Sequence, residues 1–114
     1  MAITTYKYTL TPSNGITVLD LPLGARVISA KNQFDEVQVW AIVNSDFPTE
    51  PHEFLCVGTG WELSGDIFDF EPVDTVLTHG GKLVWHVFHR SPNKNQDIFD
   101  MARRFRQPID IEIE

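Results

Sequence analysis

Short runs of β-branched and aromatic residues, cut at close intervals by Pro, Gly and Asn, commit this chain to a mainly β fold. Ile3 to Leu10 stops at Thr11-Pro12-Ser13-Asn14-Gly15, whose Asn-Gly pair accepts positive φ, and Ile16 to Leu21 follows as a second strand. After Leu21-Pro22-Leu23-Gly24, Ala25 to Lys31 alternates Arg26, Ile28 and Ala30 with Val27, Ser29 and Lys31, the period of a third strand. Asn32-Gln33-Phe34-Asp35 is a turn. Beyond it Glu36 to Val43 is the clearest strand: Val37, Val39, Ala41 and Val43 share one face and Trp40 and Ile42 the other, which predicts cover on both sides of its later half.

Pro48 and Pro51 cannot donate to a ladder, so residues 44–51 read as a loop ending at His52. Phe54 to Val57 predicts a short buried strand closing in Gly58-Thr59-Gly60, and Trp61 to Pro72 an irregular, partly packed surface loop. Val73 to Thr78 and Lys82 to His89 flank His79-Gly80-Gly81 as neighbouring strands of a tight hairpin. The period then changes. Asp97 to Arg106 places Ile98, Phe99, Met101, Ala102 and Phe105 at helical spacing, and Ile109-Asp110-Ile111-Glu112-Ile113-Glu114 alternates as an added strand. The pattern predicts an antiparallel β-sandwich or open barrel of about seven strands with one C-terminal helix and an extra terminal strand. It divides into a β domain over residues 1–89 and a helix and tail extension over 90–114.

At 114 residues the chain is the size of one domain, and its 9 Lys and Arg against 16 Asp and Glu give a net charge of −7. That sign argues against a general nucleic-acid binder, which must neutralise phosphates. The single Cys56 cannot form an internal disulfide. The start Met1-Ala2-Ile3-Thr4-Thr5 lacks the basic and apolar segments of a signal peptide, and no apolar run approaches the roughly 20 residues that span a bilayer. A cytosolic protein with no membrane contact is expected.

Tyr6-Lys7-Tyr8, Leu21-Pro22-Leu23-Gly24-Ala25, Trp40-Ala41-Ile42-Val43, Gly58-Thr59-Gly60 and Leu83-Val84-Trp85-His86-Val87-Phe88, in that order and spacing, resemble a family of small bacteriophage proteins of unknown function over residues 6–88. The resemblance implies phage origin, a small β-rich fold and residence in the host cytoplasm or the virion. It implies no activity, and it leaves the 61–72 loop and the extension from Gln96 unexplained.

Tests for chemistry give no catalytic, cofactor or metal site. His86 and His89, the closest histidine pair, lie three apart on a strand and point to opposite faces, so His86 reads as a packed strand residue and His89 as a strand end. Cys56 sits in an apolar run, where a thiol is inert. Gly58-Thr59-Gly60-Trp61-Glu62-Leu63 has two glycines of a dinucleotide fingerprint but Leu63 in place of the third and no helix after it. Thr59 and its neighbouring amides remain a pocket candidate, with His86 beside it.

The placement of charge is more informative. Between Asn32 and Gly81 there is no Lys or Arg, and ten acids: Asp35, Glu36, Asp46, Glu50, Glu53, Glu62, Asp66, Asp69, Glu71 and Asp74. Asp66, Asp69, Glu71 and Asp74, with Trp61, Phe68 and Phe70 as aromatic anchors, are therefore expected to form a negative face for a protein partner. Phe99, Met101, Arg103, Arg104, Phe105, Ile109, Ile111 and Ile113 are the expected homo-oligomer contacts. A non-enzymatic phage accessory protein follows as the expectation, first as an inhibitor of a host or anti-phage defence factor. The alternatives are a virion or assembly component locked by its helix and tail, and an acidic nucleic-acid mimic.

Overall fold

The computed structural model describes residues 2–92. Seven strands appear: β1 (Ile3–Thr9), β2 (Thr17–Pro22), β3 (Arg26–Gln33), β4 (Glu36–Asn44), β5 (Thr49–Gly58), β6 (Glu71–Thr78) and β7 (Leu83–Arg90), with short 3₁₀ turns at Gly65–Asp69 and His79–Gly81. All pair antiparallel, in a three-stranded sheet ordered β1-β4-β3 and a four-stranded sheet ordered β2-β5-β7-β6. The two sheets face each other without closing into a barrel. The expected helix at 97–106, the strand at 109–114 and the contacts Phe99, Met101, Arg103, Arg104, Phe105, Ile109, Ile111 and Ile113 lie outside the described residues.

Alternation supplies the core. Val37, Val39, Ala41 and Val43 of β4 are at most 2% exposed and meet Phe54, Cys56, Val76 and Val87 from the other sheet. The sheets also abut along one seam: Asn32 Nδ2 donates to the Leu77 carbonyl at 2.8 Å, and Lys31 Nζ lies 3.0 Å from Asp74 Oδ2. Burial pushes the Asp74 carboxyl up, but the Lys31 ammonium and the Thr75 and Ala30 amides outweigh it and hold the group below its ordinary value.

Three local expectations are corrected. Residues 49–51 belong to β5, because Pro51 pairs only with Asp20 of β2, whereas the β7 ladder on the other edge begins at Glu53; a proline fits where one edge of the strand is unpaired. Asn14-Gly15 makes no hairpin: β1 pairs β4 and β2 pairs β5, so this connection crosses between sheets, with neither residue at positive φ and with the Ser13 amide donating to the Cys56 carbonyl at 3.1 Å. Among the non-glycine residues positive φ occurs instead at Phe34 (58°) and Asp35 (64°) of the β3–β4 hairpin, where the Asn32 side chain accepts from the Asp35 amide at 2.9 Å, and at His79 (56°) of the β6–β7 hairpin. Finally, the Trp40 side of β4 is not covered. Ile42 is 38% exposed and Trp40 half-buried, while Gln38 on the same face, bonded to Thr9 and Glu36, is 3% exposed.

Candidate functional site

In β5 the sequence Phe54-Leu55-Cys56-Val57 is apolar without interruption, so both faces of this strand need cover. Phe54 and Cys56 point into the core. Leu55 and Val57 point outward, beside Phe88 of β7, and are covered by Ile67 and Phe70 of the segment between β5 and β6. Between that segment and the sheet lies a groove of about 270 Å³, floored by Leu55, Val57 and Ile67, flanked by Ile16 and Leu63 and edged by Asn14, Ser64 and the carboxylates Glu62 and Asp66. Ile16 and Leu63 remain 42% and 41% exposed at its mouth. An apolar floor with an acidic rim suits an apolar group carrying or flanked by positive charge.

The loop is tied down by a cation from outside its own run. Arg90 Nε donates to Glu53 Oε1 at 2.7 Å, its terminal nitrogens lie 4.0 Å from Asp66 Oδ2 and 3.7 Å from Asp69 Oδ2, and its guanidinium stacks 4.2 Å over the Phe70 ring. One guanidinium faces three carboxylates, so the patch stays net negative. The acids do not line up as one continuous face: Asp66 and Asp69 gather at Arg90, while Asp74 turns to Lys31 of β3 across the seam between the sheets. Glu71 lies at the start of β6 opposite His89.

The aromatics divide too. Phe70 is buried at 6%, Phe68 stands 92% exposed, and Trp61 folds back edge-on to Trp85 with ring centroids 5.7 Å apart. Trp61 requires glycine at Gly58, where a Cβ would sit 2.7 Å from the indole nitrogen. Thr59 and His86 do come together. Thr59 Oγ1 is 2.6 Å from His86 Nε2, and Thr75 Oγ1 is 3.3 Å from His86 Nδ1, so the ring is held between two hydroxyls on the outer side of the sheet. Thr59 lines neither the loop groove nor a second groove of about 270 Å³ lined in part by Leu10, Asp35, Thr78, His79 and Trp85.

The sequence reading missed a polar chain inside the core. Glu50 Oε2 lies 3.1 Å from His52 Nε2 and accepts from the Gly24 amide at 3.1 Å; His52 Nδ1 lies 2.8 Å from His89 Nε2. The two imidazole planes are 9° apart with centroids at 5.1 Å, an edge-to-edge arrangement. A carboxylate only accepts, so His52 Nε2 donates to Glu50, and the ring nitrogens of His52 and His89 share the next hydrogen bond of the chain. His52 is 1% and His89 9% exposed, which makes His89 a core residue and not merely a strand end. Burial, with the neighbouring His52 second, lowers the His89 pKa to about 4, so the ring is neutral at physiological pH. Period-two spacing of Glu50 and His52 was the available signal. The two prolines hid it by making the stretch look like a loop.

Cys56 is buried, and desolvation pushes its thiol up to about 12, so it is an unreactive core group. No group of three or more His, Cys, Asp or Glu side chains that could hold a metal ion occurs among the described residues, nor does a helix long and apolar enough to cross a membrane.

Fold and site together define a two-sheet antiparallel β protein whose distinctive surface feature is a loop-covered, acid-rimmed groove. The chain belongs to a family described as a domain of unknown function (DUF7352), which matches residues 1–97 and so takes in all seven strands and the loop. No curated protein and no solved structure matches it.

Proposed function

We propose that the chain is a non-enzymatic accessory protein that acts by binding a protein partner through the groove beneath the 61–70 loop. The observation that carries this reading is the combination of an apolar floor, Leu55, Val57 and Ile67, with the carboxylates Glu62 and Asp66 at the rim. A partner segment that presents an apolar side chain next to Lys or Arg complements it. Within this reading the protein comes from a bacteriophage, acts in the host cytoplasm, and inhibits a host or anti-phage defence factor; that part rests on the resemblance of the strand strings over residues 6–88.

Capture from infected cells on the immobilised wild-type protein, repeated with Ile16→Glu combined with Leu63→Glu, tests the reading. Both side chains are partly exposed at the groove mouth, so the fold tolerates the change. Loss of the captured partner with the variant supports the groove. Equal capture by both proteins overturns it.

A virion or assembly component is the second reading, favoured by the edges of β1 and β2, each of which ends its sheet among the described residues and can accept a further strand. Mass spectrometry of purified particles decides it, because an assembly component is present in stoichiometric amount and an inhibitor is not.

A further inference from the structure

The outer face of the β1-β4-β3 sheet is unlike the rest of this acidic protein. Residues directly opposite one another across strands share a face, and the register gives the rows Thr5–Ile42–Arg26, Lys7–Trp40–Ser29 and Thr9–Gln38–Lys31. Trp40 therefore sits at the centre of the sheet with Lys7 beside it and Arg26 and Lys31 on the diagonals. Only five cations fall within residues 2–92, and three of them are on this face. Among the outward residues of these three strands Glu36, at the end of β4, is the single carboxylate. Ile3 and Ile42 add exposed apolar surface at 57% and 38%. Lys31 is partly neutralised by Asp74, and Lys7 Nζ donates to the neutral Gln33 Oε1 at 2.5 Å, so Lys7 and Arg26 carry the positive charge.

The complement of this face is on the same molecule. Phe68 projects 92% exposed from the loop, flanked by Asp66 and Asp69, whose side chains are 44% and 70% exposed. Its neighbours Ile67 and Phe70 already anchor the loop, so packing within the fold gives no reason for an aromatic residue here. One patch is an aromatic knob among carboxylates, and the other is a Trp and Ile surface among cations. They belong to different sheets and point in different directions, so one molecule cannot join them.

We propose that two copies of the chain dock head to tail, the Phe68 knob of one copy seating on the Trp40 face of the next, with Asp66 and Asp69 against Lys7 and Arg26. The contact is heterologous, so it propagates into a ring or filament. It shares Asp66 with the groove rim and otherwise rests on residues outside the groove.

Sedimentation velocity on the full chain tests it. Association rises with protein concentration at about 50 mM salt and weakens at least about tenfold at about 500 mM, because the opposed charges are solvent-exposed. Lys7→Glu with Arg26→Glu destroys the face, and Phe68→Lys with Asp69→Lys destroys the knob; neither pair lines the groove. Each variant alone is monomeric, and an equimolar mixture forms a 1:1 heterodimer that grows no further, since it has one intact knob facing one intact face. If the glutamates unfold the sheet, Lys7→Gln with Arg26→Gln gives the same reading without new charge. A wild-type protein that stays monomeric up to about 1 mM overturns the proposal, as does failure of the two variants to pair. So does an oligothymidylate of about fifteen nucleotides that binds the wild type and not the Lys7/Arg26 variant, which reassigns the face to single-stranded nucleic acid.

Discussion

On the β1-β4-β3 sheet the outward residues Lys7, Arg26, Trp40 and Ile42 meet solvent, whereas on the β2-β5-β7-β6 sheet the outward Leu55 and Val57 are buried under Ile67 and Phe70. The two sheets share a core and differ in what lies behind them. In the first, a face left open has been given charge, as an uncovered sheet requires for solubility. In the second, a loop makes a third layer, and the charge has moved to the loop, where Arg90 draws carboxylates together. The inner face differs as well: the second sheet carries a buried polar chain, Glu50–His52–His89.

The strongest way to break this comparison is at the shared core. Phe54→Ala removes a fully buried ring that contacts both the core and His89, and costs about 3–5 kcal/mol by urea denaturation. A loss under about 1 kcal/mol means that the sheets do not pack through this side chain.

Next comes pH. His89 has its pKa lowered from 6.5 to about 4, so the unfolded chain takes up the proton first, and the stability present above pH 6.5 falls as pH drops toward 4. The full loss is at most about 3 kcal/mol. Urea midpoints measured from pH 7 to pH 4 check it, with His89→Gln as the comparison. The variant is less stable at pH 7 and has a shallower slope, whereas equal slopes rule out His89 as the titrating group.

Arg90→Ala sharpens the contrast between the outer faces. It releases Glu53, Asp66 and Asp69 and the Phe70 stacking contact, for a cost of about 1–2 kcal/mol after screening of the partly exposed pairs. Protease cleavage within residues 61–70 becomes faster, while the β1-β4-β3 sheet keeps its amide-exchange protection. Protection lost equally in both sheets contradicts a loop-local role. The smallest effect belongs to Thr59→Val, which removes the exposed 2.6 Å contact to His86 and costs about 0.5 kcal/mol. A cost above about 2 kcal/mol, read from the same urea titration, gives this pair a structural weight that its exposure does not suggest.

Much of the framework is legible along the chain. Alternation at Val37, Val39, Ala41 and Val43 identifies the buried face of β4, and His79-Gly80-Gly81 identifies the β6–β7 hairpin. The opposition of His86 and His89 across β7 follows from the same period. Thr59 and His86 were singled out together and lie in hydrogen-bond contact. Asp66, Asp69, Glu71 and Asp74 read along the chain as one face, but Asp66 and Asp69 go to Arg90 and Asp74 to Lys31, because cations distant in sequence reach them in space. Trp40 was expected to be covered, since an apolar strand is compatible with cover on either side and nothing local says which side receives it.

What the sequence determined by itself is the repertoire: strands, from the alternation and the turn residues, and a net charge of −7 concentrated in the β body. Partnership was decided only by the tertiary structure. β1 pairs β4 and β2 pairs β5, joining residues 27 to 41 positions apart, and together with the β3–β4 and β5–β7 ladders these pairings assemble the cations around Trp40, the buried Glu50–His52–His89 chain and the groove under the loop. The physical reason is that period-two alternation fixes which way each side chain points, while the choice of neighbouring strand depends on burying both inner faces at once.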